Sequence, residues 1–407
     1  MSVALPAKHP RWHTVATLGT AQTLAWASSY YLPAILAAPM ARDLGVSMPT
    51  VFAAFSVALV LSAAVGPVSG RAIDRHGGRP VLMGTNLLFA AGLLALGMAQ
   101  GPVSMFAAWA LIGLAMGSGL YEAAFAALVR LYGPQARNPI TGITLIAGFA
   151  STVGWPLSAL LELKFGWRGA CFTWAALHLL LGLPLNARLP RALPAHLPVA
   201  DTGTSDSAPE APPALHRPVL TAVVLAYVFA ATWFVSTSMA THLPQLLQAT
   251  GATLAVAVGA GALIGPAQVA GRLAEFGLLR RVHPLLSARL AALAHPLAAA
   301  ALLVVGAPAA LVFALLHGAG NGIMTIAKGT LPLALFGHQG YGARQGWLTL
   351  PARVTQAAAP FLFGIALQRW GAGALWLSGA LGLSACAALW LLRAAPARSP
   401  KSCWRSA

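Results

Sequence analysis

"GRAIDRHGGRP", residues 70–80, places Arg71, Asp74, Arg75 and Arg79 within eleven residues of a 407-residue chain in which Asp, Glu, Lys and Arg together make up only 8%. A soluble domain carries roughly a quarter of its residues as these four types. The chain is instead 58% hydrophobic, with a mean hydropathy of +0.74. Outward from the charged loop, apolar runs alternate with short Gly, Pro and Arg punctuation. The runs reach the roughly 20 residues that a membrane-crossing helix requires. This composition specifies an all-α integral membrane protein and excludes a soluble globule.

Breaks at Pro, Gly and charge clusters predict helices near 14–38, 50–70, 80–99, 103–131, 139–162 and 169–187. Six more are predicted near 218–247, 252–277, 284–305, 308–335, 347–368 and 371–394. Between the two sets lies a polar, Pro-rich stretch with Ser, residues 188–217, whose composition is that of a linker. The expected organisation is a cytoplasmic tail (1–13), a six-helix bundle (14–187), a cytoplasmic linker (188–217), a second six-helix bundle (218–394) and a cytoplasmic tail (395–407). Among the 25 Lys and Arg, Arg42, Lys164, Arg168 and Arg369 then fall outside and Lys328 and Arg353 within spans, leaving 19 on the inner side. That asymmetry sets both termini in the cytoplasm.

The net charge of +17 is accounted for by these inner loops, so nucleic acid is not an expected partner. Cys171, Cys386 and Cys403 have no paired spacing, and neither a metal site nor a cofactor is expected. The polar N-terminus shows no cleavable signal, and its first apolar run is long enough to stay in the membrane.

The halves resemble each other. "ALIGLAMGSGLYEAAFAALVRLYG" (110–133) lies without gaps over "ALLHGAGNGIMTIAKGTLPLALFG" (314–337), and each leads into an Ala-Arg pair, Ala136-Arg137 and Ala343-Arg344. "GPVSGRAID" (66–74) likewise parallels "GPAQVAGRLAE" (265–275). Two similar halves joined by a polar linker are the signature of duplicated transporter folds.

On these residues the sequence resembles the major facilitator superfamily. Gly70, Asp74, Arg75, Gly77 and Arg79 match that family's loop motif Gly-x-x-x-Asp-Arg-x-Gly-x-Arg, and Gly271, Arg272 and Glu275 form a partial second copy. Gly78 stands where the family often has a basic residue. The resemblance implies twelve transmembrane helices in two pseudo-symmetric bundles. It further implies a gating role in which Asp74 accepts hydrogen bonds from a neighbouring helix N-terminus while the arginines latch across the halves. The run "IGPAQVAGR" (264–272) is similar to the eighth helix of monocarboxylate-type transporters, in which an Arg engages the substrate carboxylate. That leaves Arg272 two readings, loop copy or substrate anchor. Gln268 occupies the position where those relatives carry an acidic residue.

Glu122, Lys328 and Arg353 fall inside predicted spans, where an ionisable side chain costs roughly 2.5–3.5 kcal/mol unless it faces a cavity or a partner. Glu122 and Lys328 sit on equivalent helices and are expected to pair or to share a substrate, with Glu122 as the proton-coupling group. Arg353 is expected either to join them or to snorkel to the inner surface. Gln22, Trp26, Tyr30, Tyr227, Trp233 and Gln268 are candidate cavity residues. No phosphate-binding loop or catalytic constellation is present, so an enzyme is not expected. The expected function is proton-coupled transport of a small organic solute, an anion such as a monocarboxylate, by a monomer in a bacterial inner membrane. A proton-driven efflux pump for drug-like compounds and a non-transporting membrane receptor are the alternatives.

Overall fold

The chain's interior is organised by where its helices break. A computed structural model describes residues 11–191, 217–279 and 282–392, and helix is the only regular structure among them. The first stretch holds α1 (Arg11–Ala27), α2 (Pro33–Asp43), α3 (Met48–His76), α4 (Gly78–Gly97), α5 (Pro102–Gly119), α6 (Tyr121–Tyr132), α7 (Arg137–Ala147), α8 (Ala150–Leu177) and α9 (Leu183–Ala187). The rest holds α10 (Pro218–Ala249), α11 (Leu254–Gly277), α12 (Pro284–Val305), α13 (Ala310–Phe336), α14 (Tyr341–Trp370) and α15 (Ala374–Trp390). Eight helical stretches among the described residues are long and apolar enough to cross a membrane. Two of them are compound, Pro102–Ala187 with 86 residues and Tyr341–Trp390 with 50.

Starts follow local chemistry. Ser47 and Thr253 accept the N–H of Thr50 and Val256 at 3.3 Å, satisfying first-turn donors of α3 and α11. Pro102 and Pro218 open α5 and α10, where a missing N–H is harmless.

Three expected spans are interrupted. α1 begins at Arg11, inside the expected 1–13 tail, and the 14–38 segment breaks between Ala27 and Pro33. There the hydroxyls of Ser28 and Ser29 donate back to Leu24 O (2.8 Å) and Ala25 O (2.6 Å), a pattern that bends helices. The 103–131 segment breaks at Leu120, whose backbone is extended, and the carbonyl of Gly119 so released accepts Gln22 Nε2 at 2.7 Å. The 139–162 segment breaks at Gly148–Phe149, and Gly166 (φ 68°) turns the chain within α8. Most of the 188–217 linker and all of the 395–407 tail lie outside the described residues.

Packing repeats between the halves. A Cβ on Gly113 or Gly117 of α5 would strike the backbone of Ala58 or Ser62 of α3. A Cβ on Gly318 or Gly322 of α13 would meet Ile264 or Gln268 of α11 with the same spacing of four. Small residues four apart let these backbones touch. One hydrophobic core gathers residues from Leu18 to Leu189 with Leu333 and Tyr341, and two others gather residues only from Val224 onward.

Candidate substrate and gating site

Two ion-dipole contacts join the halves at the end where the 70–80 loop lies. Gly340 opens α14 without a side chain, so its first-turn N–H groups need an outside acceptor. Asp74 provides one: Oδ1 accepts Gly342 N–H at 2.9 Å and Oδ2 accepts Ala343 N–H at 2.8 Å. The carboxylate also meets the positive end of the α14 dipole. Gly70 allows this approach, because a Cβ there would fall on the carbonyl of Gly342. Gly77, at φ 82°, makes the one-residue turn from α3 into α4. Gly78 has no room for any side chain, since a Cβ would run into Ala127 of α6. This is the physical reason for its departure from the motif.

The second contact is the counterpart of the first. Arg137, at the start of α7, donates to Glu275 Oε1 at 3.0 Å and to the carbonyls of Leu279 (3.1 Å) and Val282 (2.9 Å). Glu275 is buried, with 2% of its side chain exposed. The sequence signal was the paired Ala136-Arg137 and Ala343-Arg344, to which no role was assigned. The expected arginine latch is different: Arg75 is exposed, Arg79 is half-buried, and neither forms a hydrogen bond or ion pair among the described residues. Arg137 does that work instead. Gly271 serves packing, its Cα facing the backbone of Ala319.

His283 lies beside this contact, in the turn before α12. Its Nδ1 accepts Leu285 N–H at 3.1 Å, which requires that nitrogen to be unprotonated. Partial burial first, then the charges of Arg137 and Arg289, hold its pKa below the ordinary imidazole value. A histidine that resists protonation when folded contributes stability at neutral pH and loses it as pH falls below the unfolded value. The protection of the Leu285 amide against deuterium exchange, relative to its intrinsic rate at each pH, should therefore fall on acidification, and His283→Asn, which caps without titrating, should remove that pH dependence.

Toward the middle of the helices the charged side chains converge. Arg353 Nη2 lies 2.8 Å from Glu122 Oε2, with side-chain exposures of 4% and 16%, and Arg353 Nη1 donates to Gln356 Oε1 at 3.2 Å. Gln356 Nε2 in turn donates to the Tyr30 hydroxyl at 2.9 Å. Glu122 thus pairs with Arg353 rather than Lys328, and Arg353 does not snorkel. Lys328 is buried, its Nζ 4.5 Å from the centroid of Trp233, while Arg353 covers the same ring at 4.2 Å. Trp233 thereby faces two basic side chains with one ring.

Arg272 takes no part in the Arg137–Glu275 pair. It is buried, its Nε and Nη1 have no hydrogen-bond partner among the described residues, and it extends across to the break after α7, where a Cβ on Gly148 would collide with it. Tyr31 and Tyr121 lie within its electrostatic reach. These two tyrosines belong to an aromatic cluster, in which Trp26 packs on Tyr121 (4.9 Å between centroids) and Tyr30 (5.3 Å), and Tyr31 meets Trp155 at 6.0 Å. Gln268 is half-buried, one turn before Arg272. Tyr227 is not part of this group, since its hydroxyl bonds Ser384 of α15 at 2.5 Å on the exposed side of α10.

Buried histidines were not singled out by the sequence reading. His178 is bonded through both ring nitrogens, to Asn86 Oδ1 (2.9 Å) and Ser28 Oγ (2.8 Å), and ties α4 to the end of α1. His295 and His317 face each other through Nδ1 at 3.0 Å between α12 and α13. Only contacts distant in sequence create these sites, so no local pattern announces them.

Apolar membrane-length helices with a buried charged interior and paired inter-half contacts define a multi-pass membrane protein. Residues 18–305 match the sequence profile of the Major Facilitator Superfamily, and the chain belongs to that superfamily, whose members are secondary transporters of small molecules. Three solved structures share its fold. The human organic anion transporter MFSD10 (TETRAN) is 17% identical, with a TM-score of 0.68 over 94% of this chain and 100% of that one. FucP in its outward conformation is 13% identical, with a TM-score of 0.71 over 93% and 98%. The proton:xylose symporter XylE, bound to 6-bromo-6-deoxy-D-glucose, is 13% identical, with a TM-score of 0.69 over 94% and 95%.

Proposed function

We propose that the chain is a proton-coupled transporter of a small organic anion, built as two six-helix bundles (14–187 and 218–394) that rock about a central site. In this reading twelve helices cross the membrane. The broken pair α1–α2 makes one crossing, Pro102–Ala187 three and Tyr341–Trp390 two, and each remaining stretch one. The protein acts as a monomer in a bacterial plasma membrane, with both termini and the 70–80 loop cytoplasmic. Asp74 on α14 and Arg137 on Glu275 then close the cytoplasmic end, leaving the opposite end for substrate entry.

The observation that carries the substrate reading is the unpartnered guanidinium of Arg272. A buried cation without an acceptor is costly, and a carboxylate would supply both the charge and the missing hydrogen bonds. The aromatic side chains beside it suit a substrate with an apolar body, and Lys328 adds positive charge. Glu122 is the coupling carboxylate, because its protonation would release Arg353 and so alter a contact between the halves. Fold similarity to a protein described as an organic anion transporter agrees with this reading. The same aromatic cluster favours, as a second reading, export of drug-like organic acids.

Purified protein in liposomes, challenged with monocarboxylates and aromatic acids under an imposed pH gradient, tests the proposal. Arg272→Gln should raise KM for the transported acid by about 10–100-fold, the worth of a charged hydrogen bond. Arg272→Lys should recover part of it, since a point charge lacks the planar fork. An unchanged KM in Arg272→Gln would remove Arg272 from the substrate site.

A further inference from the structure

Between Glu122 and the Asp74 contact, α3, α5, α6 and α14 border a cavity of about 10 Å³ whose lining includes Gly66, Ser69, Gly117, Glu122, Gly342 and Gly346. It lies beside the crossing of α3 and α14, whose backbones glycines bring into contact. A Cβ on Gly346 would meet Gly66 and Pro67, and one on Gly342 would meet Gly70 and Asp74. The volume is near the least that seats one water, roughly 10–15 Å³. Ser69 is 4% exposed, and its Oγ has no hydrogen-bond partner among the described residues. A buried hydroxyl left unpaired is a cost that a water can remove.

We propose that this cavity binds a water that links Glu122 to the Asp74 end of the molecule and serves as the inner proton route of the transporter. The inference rests on the proton-coupled reading given above. In the step it describes, the Glu122 carboxyl O–H bond breaks and its proton goes to the water, which becomes hydronium. The hydronium then gives its extra proton to a solvent water at the end where Asp74 lies, and the cavity water is left neutral. Glu122 is left as the carboxylate that pairs with Arg353. Ser69 and Gly70 lie five and four residues before Asp74 on α3, so the water stands about one helical turn from the gate. The charged and titratable groups around Glu122 are Arg353 on α14, Lys328 on α13, Tyr121 beside it and Tyr341 in the first turn of α14. None of these lines the cavity, so Glu122 is its one titratable wall among the described residues.

Two substitutions separate this route from the fold. Gly66→Ala would place a Cβ 3.8 Å from Gly346 Cα and 3.9 Å from its carbonyl oxygen, an ordinary contact, while occupying the water's space. Ser69→Ala removes the hydroxyl that anchors the water. Infrared difference spectra of inverted membrane vesicles, with the 70–80 face toward the bath, would follow the Glu122 carboxyl band after a pH jump, assigned by its loss in Glu122→Gln. Both variants should keep the wild-type band amplitude at equilibrium and slow its appearance by about tenfold, as expected when a bridging water is lost. Wild-type rates in both variants would overturn the route while leaving proton coupling intact. Absence of any titrating Glu122 band in the wild type would overturn the proton-coupled reading and the route with it.

Discussion

Replacing Glu122 with Gln is expected to lower stability by about 3–5 kcal/mol, the cost of leaving a buried charge without its partner. Arg353 and Lys328 would then share the face of Trp233 with no carboxylate between them, each repelling the other. Pairing the change with Arg353→Met removes the stranded cation, and most of the stability should return. Transport should not return, because the pH-sensitive contact between the halves is gone in both variants. Thermal or denaturant unfolding in detergent measures the first quantity, and flux under a pH gradient the second. A double variant no more stable than Glu122→Gln alone would mean that the ion pair is not the source of the loss. Retained pH-dependent flux in Glu122→Gln would move proton coupling to another group.

Asp74→Ala is expected to shift the gate. It deletes two charge-assisted hydrogen bonds to the first turn of α14, each worth about 1.5–3 kcal/mol when buried. Asp74 is only half-buried, so water recovers part of that, and a net loss of roughly 3 kcal/mol corresponds to about a hundredfold change in the population of the closed end. Spin labels on the exposed positions His76 and Gln339 would read the separation of α3 from α14. The wild type should give one short distance and Asp74→Ala a second, longer one. Asp74→Asn should fall between, since its amide oxygen still accepts one N–H. A single short distance in all three proteins would show that Arg137 and Glu275 hold this end unaided.

Much of this was legible in the sequence because membrane proteins concentrate their information. Charge is scarce, so the spacing of Asp74 from Gly70 and Gly77 stood out, and apolar length alone marked where helices run. Partner choice was not legible. Whether Glu122 meets Lys328 or Arg353 depends on the rotation of α13 and α14 about their axes, which side chains on every neighbouring helix decide together. The helix breaks at Ser28 and Leu120 were hidden for a related reason. Each carries a hydrogen bond between residues far apart in sequence, Gln22 to Gly119 at one and Ser28 to His178 at the other. Gly78 shows the converse: it looked like a lapse from a motif, and a single tight contact with Ala127 accounts for it.

The account stands on a hydrated interior that opens to one side at a time. Tyr30→Cys, in a background without other thiols, places a reporter between Trp26 and Gln356 in the wall of that interior. A membrane-impermeant thiol reagent should modify it only from the outer side in the otherwise native chain. When Asp74→Ala and Arg137→Gln are added together, it should modify it from the cytoplasmic side as well. Modification by membrane-permeant reagents alone, in both backgrounds, would contradict the account, because the residue would then face lipid or packed protein rather than a shared aqueous site.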